Sequence, residues 1–225
     1  MEQAGQTNKP LISVITVCLN AADTIEDTLR SVFTQRFGGF EYLVLDGGST
    51  DGTAEIIERY SQLLTYWHSR PDKGFVYAMN EGIKLARGEY IYILNADDFL
   101  ADDTVFARVA EVLVAQPEVD VFAGAVRILY PAPAYAYTKF EHVSKARMIR
   151  GRQAPHQGAF IRKKRYEDAG YLNTTLRGAV DFDLFCKIVK GNYRVYHQKR
   201  IIAFYRSGGI SQNKTISSNE NATLI

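Results

Sequence analysis

Three short apolar runs, LISVITVCL at 11–19, FEYLVL at 40–45 and EYIYIL at 89–94, limit this chain more than any other feature. Each is continuous and rich in β-branched or aromatic residues, the pattern of a strand buried on both faces. Such strands need helices on both sides of a sheet, and the intervening segments supply them. In AADTIEDTLRSVFTQ, Ile25, Leu29, Val32 and Phe33 recur at helical spacing behind Asp23 or Thr24 as caps. A second helix, Thr53 to Leu64, carries Ile56, Ile57 and Tyr60. A third, Phe75 to Ala86, turns Met79, Ile83 and Leu85 or Ala86 inward, and a fourth spans Asp103 to Gln116. Thr65 to His68 reads as a short strand between them. Strand and helix alternating at this spacing predict an α/β fold with a mostly parallel sheet and helices on both faces.

Beyond Val119 the rhythm changes. Val119 to Leu129 reads as a strand, PAPAYAYTKF as a turn and an extended segment, and HQGAFI as a strand. Asp183 to Lys190 reads as a short helix and Tyr193 to Tyr205 as one or two strands, an α+β pattern. No Pro-, Gly- or Ser-rich linker divides the halves, and 225 residues suit one domain. The expected layout is a flexible N-terminus at 1–10, halves at 11–118 and 119–211, and a polar tail at 212–225.

A net charge of +2 argues against a nucleic-acid binder. Cys18 and Cys186 stand in apolar contexts and read as reduced thiols of a cytoplasmic protein. The opening MEQAGQTNKP has no apolar stretch for secretion, and no run of ~18 apolar residues occurs. The glycosylation sequons at Asn213 and Asn221 therefore carry little weight. His68, His142, His156 and His197 lack metal-ligand spacing, so zinc is not expected. Between Lys139 and Arg165 nine basic residues face one acid, Glu141. That run reads either as a solvated face or as a surface for anionic lipid or phosphate groups.

The strands end in polar groups. Asn20 follows the first, Asp46 the second, and Asn95, Asp97 and Asp98 the run at 89–94. In an open parallel sheet, ligands bind beyond the carboxyl ends of the strands, so these side chains share one edge. CLNAADT lacks the glycines of a dinucleotide fingerprint, and Gly47-Gly48 leads into Ser49, Thr50 and Asp51 instead of a P-loop lysine. Without a glycine cradle, paired carboxylates suggest a hard cation, Mg²⁺ or Mn²⁺, with substrate phosphates completing its shell.

The segments ISVITVCLNAADTIEDTLRSVFTQ, EYLVLDGGSTDGT, PDKGFVYAMNEGIKLARGEYIYILNADD and HQGAFIRK…VDFDLF together resemble the family 2 glycosyltransferases, over about Leu11 to Ser211. The resemblance implies the GT-A fold, one α/β domain with a nucleotide-sugar half and an acceptor half. It is strongest to members that build bacterial O-antigen, capsule or exopolysaccharide. It places Asp46 on the nucleobase, commonly the uracil imide N–H, with Thr16, Val17, Leu19 and Asn20 completing the base and ribose pocket. Lys73 and Asn80 would line the route to the diphosphate. Asn95, Ala96, Asp97 and Asp98 fall at the D-x-D motif, with Asp97 and Asp98 on ribose and metal, and Asp181 matches the catalytic aspartate. Asn95 replaces the motif's first acid, and Val180 stands where a Glu often precedes the base, which leaves Asp183 as the alternative to Asp181. The Q-x-x-R-W signature of processive synthases is absent, which favours transfer of a single sugar.

The chemistry implied is metal-assisted departure of a diphosphate with a carboxylate base on the acceptor hydroxyl, inverting the anomeric centre. His156 and Tyr135 are acceptor-side candidates, Tyr77 a second ring for stacking, and Arg206 a candidate approach to the diphosphate. The partners expected are a nucleotide sugar, probed first as UDP-linked, and a saccharide or polyprenyl-diphosphate-linked acceptor. The basic 139–165 segment would suit a peripheral contact at the inner face of a membrane. Two rival readings are a sugar nucleotidyltransferase, which would want a Gly-rich basic loop early in the chain, and a nucleotide-sugar-binding protein without catalysis.

Overall fold

A computed structural model describes residues 9–207, apart from 132–133 and 192. The sequons and the polar tail lie outside the described residues, as does most of the expected flexible N-terminus. The first half alternates as the apolar runs predict: β1 (Ile12–Cys18), α1 (Ile25–Phe33), β2 (Phe40–Asp46), α2 (Thr53–Arg59), β3 (Tyr66–Ser69), α3 (Phe75–Leu85) and β4 (Tyr90–Ile93). There follow β5 (Phe99–Leu100), α4 (Val105–Ala115), β6 (Val121–Pro131), β7 (Ala134–Lys139), α5 (Lys145–Met148), β8 (Ala159–Arg162), α6 (Lys163–Asp168), α7 (Val180–Lys190) and β9 (Val195–Arg206).

One sheet holds every strand, in the order β3-β2-β1-β4-β8-β6-β9-β5, with β7 paired to β6 as a hairpin. β3, β2, β1 and β4 run parallel. β8 then joins β4 antiparallel, so the second half extends the same sheet instead of forming a separate body. β6 runs antiparallel to β8 and parallel to β9. β5 pairs with β9, although it follows β4 in the chain. In a flat sheet β4 and β5 would stand ~19 Å apart, four spacings of ~4.8 Å. That is about the fully extended reach of the connecting residues. Since Asp98 N–H bonds to Asn95 O at 3.1 Å in a turn, the connection is not extended and the sheet must curl. The curl carries residues 95–98 across the carboxyl edge.

Side chains alternate between two cores. Ile15, Leu43, Leu45, Ile91 and Ile93 face α3 and α7, while Val14, Tyr42, Val44, Tyr90 and Tyr92 face α1 and α4. Several boundaries differ from the sequence reading. The helix expected to reach Leu64 stops at Arg59, and Ser61–Leu63 forms a 3-10 turn, because only Thr53 and Ile57 bury and no apolar face continues. α7 begins at Val180 instead of 183, since Val180 and Phe182 are core residues. Asp181 and Asp183 therefore sit in its first turn, where the helix dipole favours carboxylates. The short β5, α5 and α6 have no periodic signal long enough to read.

Most of the basic run at 139–165 is neutralised. Arg147 and Arg152 pair with Glu141, Arg162 with Glu89, Arg165 with Asp120 and Asp168, and Lys164 with Asp168. Lys163 Nζ donates to Ala86 O at 2.6 Å, tying α6 to the end of α3.

Candidate active site

A cavity of about 590 Å³ opens at the carboxyl edge of β1 and β4. That volume is ordinary for a small-molecule site. Val17, Leu19 and Asn20 line it from the end of β1, and Asn95, Ala96 and Asp97 from the end of β4. His156, Arg177, Asp181 and Tyr205 line it from the second half of the chain. The expected strand-end residues thus converge in part, and burial decides which of them face the cavity.

Asp46 does not face it. Its carboxylate is fully buried and accepts from Gly48 N–H at 3.2 Å, Ser49 N–H at 2.9 Å and Ser69 Oγ at 2.5 Å. Ser49 Oγ donates to its other oxygen, and Cys18 Sγ lies 3.5 Å from it. Burial pushes this carboxyl up, but the Ser49 and Ser69 hydrogen bonds outweigh it and hold the group below the ordinary range. Asp46 is the anchor of the GGSTDGT loop and has no lone pair left for a nucleobase. Asn20 stitches the same loop to β1. At φ 51, a left-handed conformation that Asn tolerates, its Oδ1 accepts from Thr50 N–H at 3.0 Å while its N–H donates to Ser49 Oγ at 2.7 Å.

Three other expected residues also turn out to be structural or remote. Thr16 is fully buried against Tyr42 Oη at 2.9 Å. The Asn80 amide donates to Leu172 O and accepts from Leu172 N–H, both at 2.9 Å, clamping α3 to the segment before α7. Lys73 does not line the cavity, whereas its neighbours Asp72 and Gly74 do.

The two adjacent carboxylates after β4 part company. Asp98 is fully buried, accepting from Arg206 N–H at 3.1 Å and from Asn95 Nδ2 at 3.2 Å. Burial first, then the Asp97 charge, pushes its carboxyl up to about 7. It braces the turn from beneath and does not line the cavity. Asp97 faces the cavity, and burial holds its carboxyl above the ordinary range despite the charges of Arg206 and His156. Arg206 is a further brace: Nη1 donates to Asp97 O at 3.0 Å and Nη2 to Asp27 Oδ2 at 2.6 Å. It holds the acidic turn. Among the described residues no group of three His, Cys, Asp or Glu could hold a metal ion unaided. One carboxylate facing the cavity still fits a hard cation whose remaining ligands are substrate oxygens and water.

From the second half of the chain, His156 Nδ1 lies 2.9 Å from Asp181 Oδ2, and Gln153 Nε2 donates to the same oxygen at 3.3 Å. The His156 and Asp181 side chains keep 25% and 31% of their surface exposed to the cleft. Burial pulls His156 down, but the charge and hydrogen bond of Asp181 outweigh it and the imidazole is held above its ordinary value. Burial pushes Asp181 up, and the same contact with His156 brings it below the ordinary carboxylate range. Asp183 is buried against Lys187 at 2.7 Å and does not line the cavity, whereas Asp181 does. Tyr135 is exposed on β7, stacked on Tyr130 with ring centroids 4.5 Å apart, and neither it nor Tyr77 lines the cavity. Asp72, Arg177 and Tyr205 are lining residues that the sequence reading missed. Asp72 lies in the PDKG segment singled out there, where the resemblance points to Lys73 instead. Arg177 is the only Lys or Arg among the lining residues.

Comparisons with known proteins agree with this architecture. The description "Glycosyl transferase family 2" matches residues 13–172. An uncharacterized glycosyltransferase of Mycobacterium tuberculosis H37Rv is 33% identical over 165 residues, covering 69% of this chain and 60% of the relative. A PGL/p-HBAD biosynthesis glycosyltransferase of Mycobacterium bovis BCG is 29% identical over 210 residues, covering 90% of this chain and 79% of the relative. The structure of S. aureus TarS 1–349 in complex with UDP-GlcNAc matches with a TM-score of 0.74 at 21% identity, over 89% of this chain and 60% of that one. Mannosyltransferase PcManGT from Pyrobaculum calidifontis, in complex with GDP-Man and Mn²⁺, matches with a TM-score of 0.68 at 21% identity, over 88% of this chain and 57% of that one. The fold is GT-A. The chain spans 60% of the length of the first mycobacterial relative and of TarS 1–349.

Proposed function

The chain belongs to glycosyl transferase family 2, and on that premise we propose that it moves one sugar per encounter from a nucleoside-diphosphate sugar to a hydroxyl of a saccharide or lipid-linked saccharide, in the synthesis of a surface polysaccharide. One observation carries the proposal. Asp97 and Asp181 face a single cavity from opposite halves of the chain, with Arg177 also among its lining residues. The UDP-GlcNAc and GDP-Man held by the structural neighbours support a donor of that class.

In this reading residues 11–118 bind the donor and residues 119–211 the acceptor. The end of β1 floors the base and ribose, with Asn20 and Asn95 as polar contacts. Asp97 would hold a Mg²⁺ or Mn²⁺ ion. When bound, such an ion neutralises charge on the departing diphosphate. Arg177 adds a positive charge to the cavity lining. Asp181 accepts the proton of the acceptor hydroxyl as it attacks the anomeric carbon on the face opposite the diphosphate, inverting that centre. His156 and Gln153 hold one Asp181 oxygen and leave the other for the acceptor.

Among the described residues no helix is long and apolar enough to cross a membrane. A lipid-linked acceptor would instead be met at a cytoplasmic membrane surface, through Lys145, Arg150 and the exposed Ile149 beside them. Incubation with a panel of nucleotide sugars and Mn²⁺ tests the function: release of nucleoside diphosphate supports transfer. Release of pyrophosphate, or of nothing with any donor, refutes it.

A further inference from the structure

We propose that Asp72 reads the nucleobase, and that it selects bases whose pairing edge carries a ring N–H, uracil or guanine, over cytosine and adenine. This rests on the donor-site reading above. The usual place for a base-reading carboxylate, the end of β2, is closed in this chain. Asp46 has its lone pairs occupied by the loop it anchors, and the next residue is Gly47.

The space above Gly47 is not empty. A Cβ at that position would stand 3.0 Å from Asp72 Oδ2 and 3.5 Å from Cys18 O. The Asp72 carboxylate therefore occupies the volume that a side chain at 47 would fill. It reaches there from the loop between β3 and α3. Gly74 N–H donates to Asp72 Oδ1 at 2.6 Å, which fixes the side chain and leaves Oδ2 over Gly47. Gly47 N–H in turn bonds Cys18 O at 2.9 Å, so β1, β2 and the Asp72 loop meet at one point of the cavity wall.

The surroundings suit a flat heterocycle. Val17, Leu19 and Phe75 line the same cavity, and Leu19 and Phe75 remain 61% and 37% exposed, apolar surface that nothing among the described residues covers. A carboxylate is acceptor-only. It pairs with N3–H of uracil or N1–H of guanine, and it opposes the ring-nitrogen lone pair of cytosine or adenine at the equivalent position. Glycine at 47 and aspartate at 72 are thus two parts of one device: the carboxylate needs the vacancy.

Calorimetry with UDP, GDP and CDP, each with Mn²⁺, tests this on the full chain. The native protein should bind UDP or GDP more tightly than CDP. Asp72→Asn should weaken the preferred nucleotide by about 10- to 100-fold, the worth of a charge-assisted hydrogen bond, and collapse its preference over CDP. Asp72 is exposed, so folding is not at issue. Gly47→Asp alone should also weaken binding, by setting two carboxylates in contact. Gly47→Asp combined with Asp72→Ala should restore the preference, by returning one carboxylate to the same space. A preference unchanged within about twofold in Asp72→Asn, or not recovered in the double variant, overturns the assignment. A native protein that binds none of the three nucleotides overturns the donor reading itself.

Discussion

Replacing His156 by Gln is the perturbation whose outcome depends most directly on the acceptor wall. Glutamine can still donate to Asp181 Oδ2 but carries no charge. With His156 protonated, a positive charge lies 2.9 Å from the proposed base. An adjacent opposite charge lowers a carboxyl pKa by ~1–3 units. The pair is a quarter to a third exposed, which argues for the lower part of that range. If about half of the lost basicity is expressed in the transition state, protonated His156 slows proton removal by ~3- to 10-fold. Since contact with Asp181 raises the His156 pKa above 6.5, the native rate should climb with pH on a limb centred above that value. His156→Gln should abolish the limb and show a flat, high rate across it. Donor hydrolysis, followed as nucleoside diphosphate released between pH 5.5 and 9, provides the readout, with Asp181→Asn, expected to lose ~10²–10⁴-fold, as the reference for base function. Stability follows the same linkage. The elevated His156 pKa contributes stability fully present below its unfolded value and lost as pH rises through the folded one. The depressed Asp181 pKa contributes stability present above its unfolded value and lost as pH falls through the folded one. The pair therefore stabilises most between about pH 4 and 6.5, and the native melting temperature should fall more than the variant's from pH 6 to 8.5. An alkaline limb that survives in His156→Gln refutes the coupling.

The acidic turn offers a sharper contrast, because Asp97→Asn should remove the Mn²⁺ dependence of UDP binding while Asp98→Asn keeps it, and calorimetry showing the reverse would restore Asp98 as the ligand. Asn80→Ala strips partners from both backbone groups of the buried Leu172. It should cost about 2–6 kcal/mol in urea denaturation at ~1–3 kcal/mol per orphaned group, with the KM for donor unchanged; a KM effect without a stability loss would return Asn80 to the donor site. Exchanging Lys145, Ile149 and Arg150 for Ser should release the protein from anionic vesicles in a salt-sensitive pelleting assay, and native protein that fails to pellet would remove the membrane contact.

The sheet was legible because double-sided burial leaves a mark that needs no tertiary knowledge: LISVITVCL, FEYLVL and EYIYIL lie in β1, β2 and β4. The second half was less so. α5 and α6 are one turn or little more, and β5 is two residues long, below the length at which periodicity can be counted. The pairing of β5 with β9, which makes the sheet curl, joins segments about a hundred residues apart and leaves no local trace.

The site divides along a different line. A carboxylate at a strand end is ambiguous in sequence, because the same residue serves as ligand or as anchor according to how many donors the fold turns toward it. Asp46 meets two backbone N–H groups and two serine hydroxyls and becomes an anchor. Asp98 meets the Arg206 N–H and the Asn95 amide and becomes a brace, while Asp97, one residue earlier, faces the cavity. Asp72 spends one oxygen on Gly74 and keeps the other. Small donors such as Ser49 and Ser69 near an acid are therefore a warning that it is committed to structure. A glycine where a side chain is expected marks space that another residue fills. Applied to GGSTDGT and PDKG, those two considerations move the base-reading role from Asp46 to Asp72, on the strength of the neighbours each residue has.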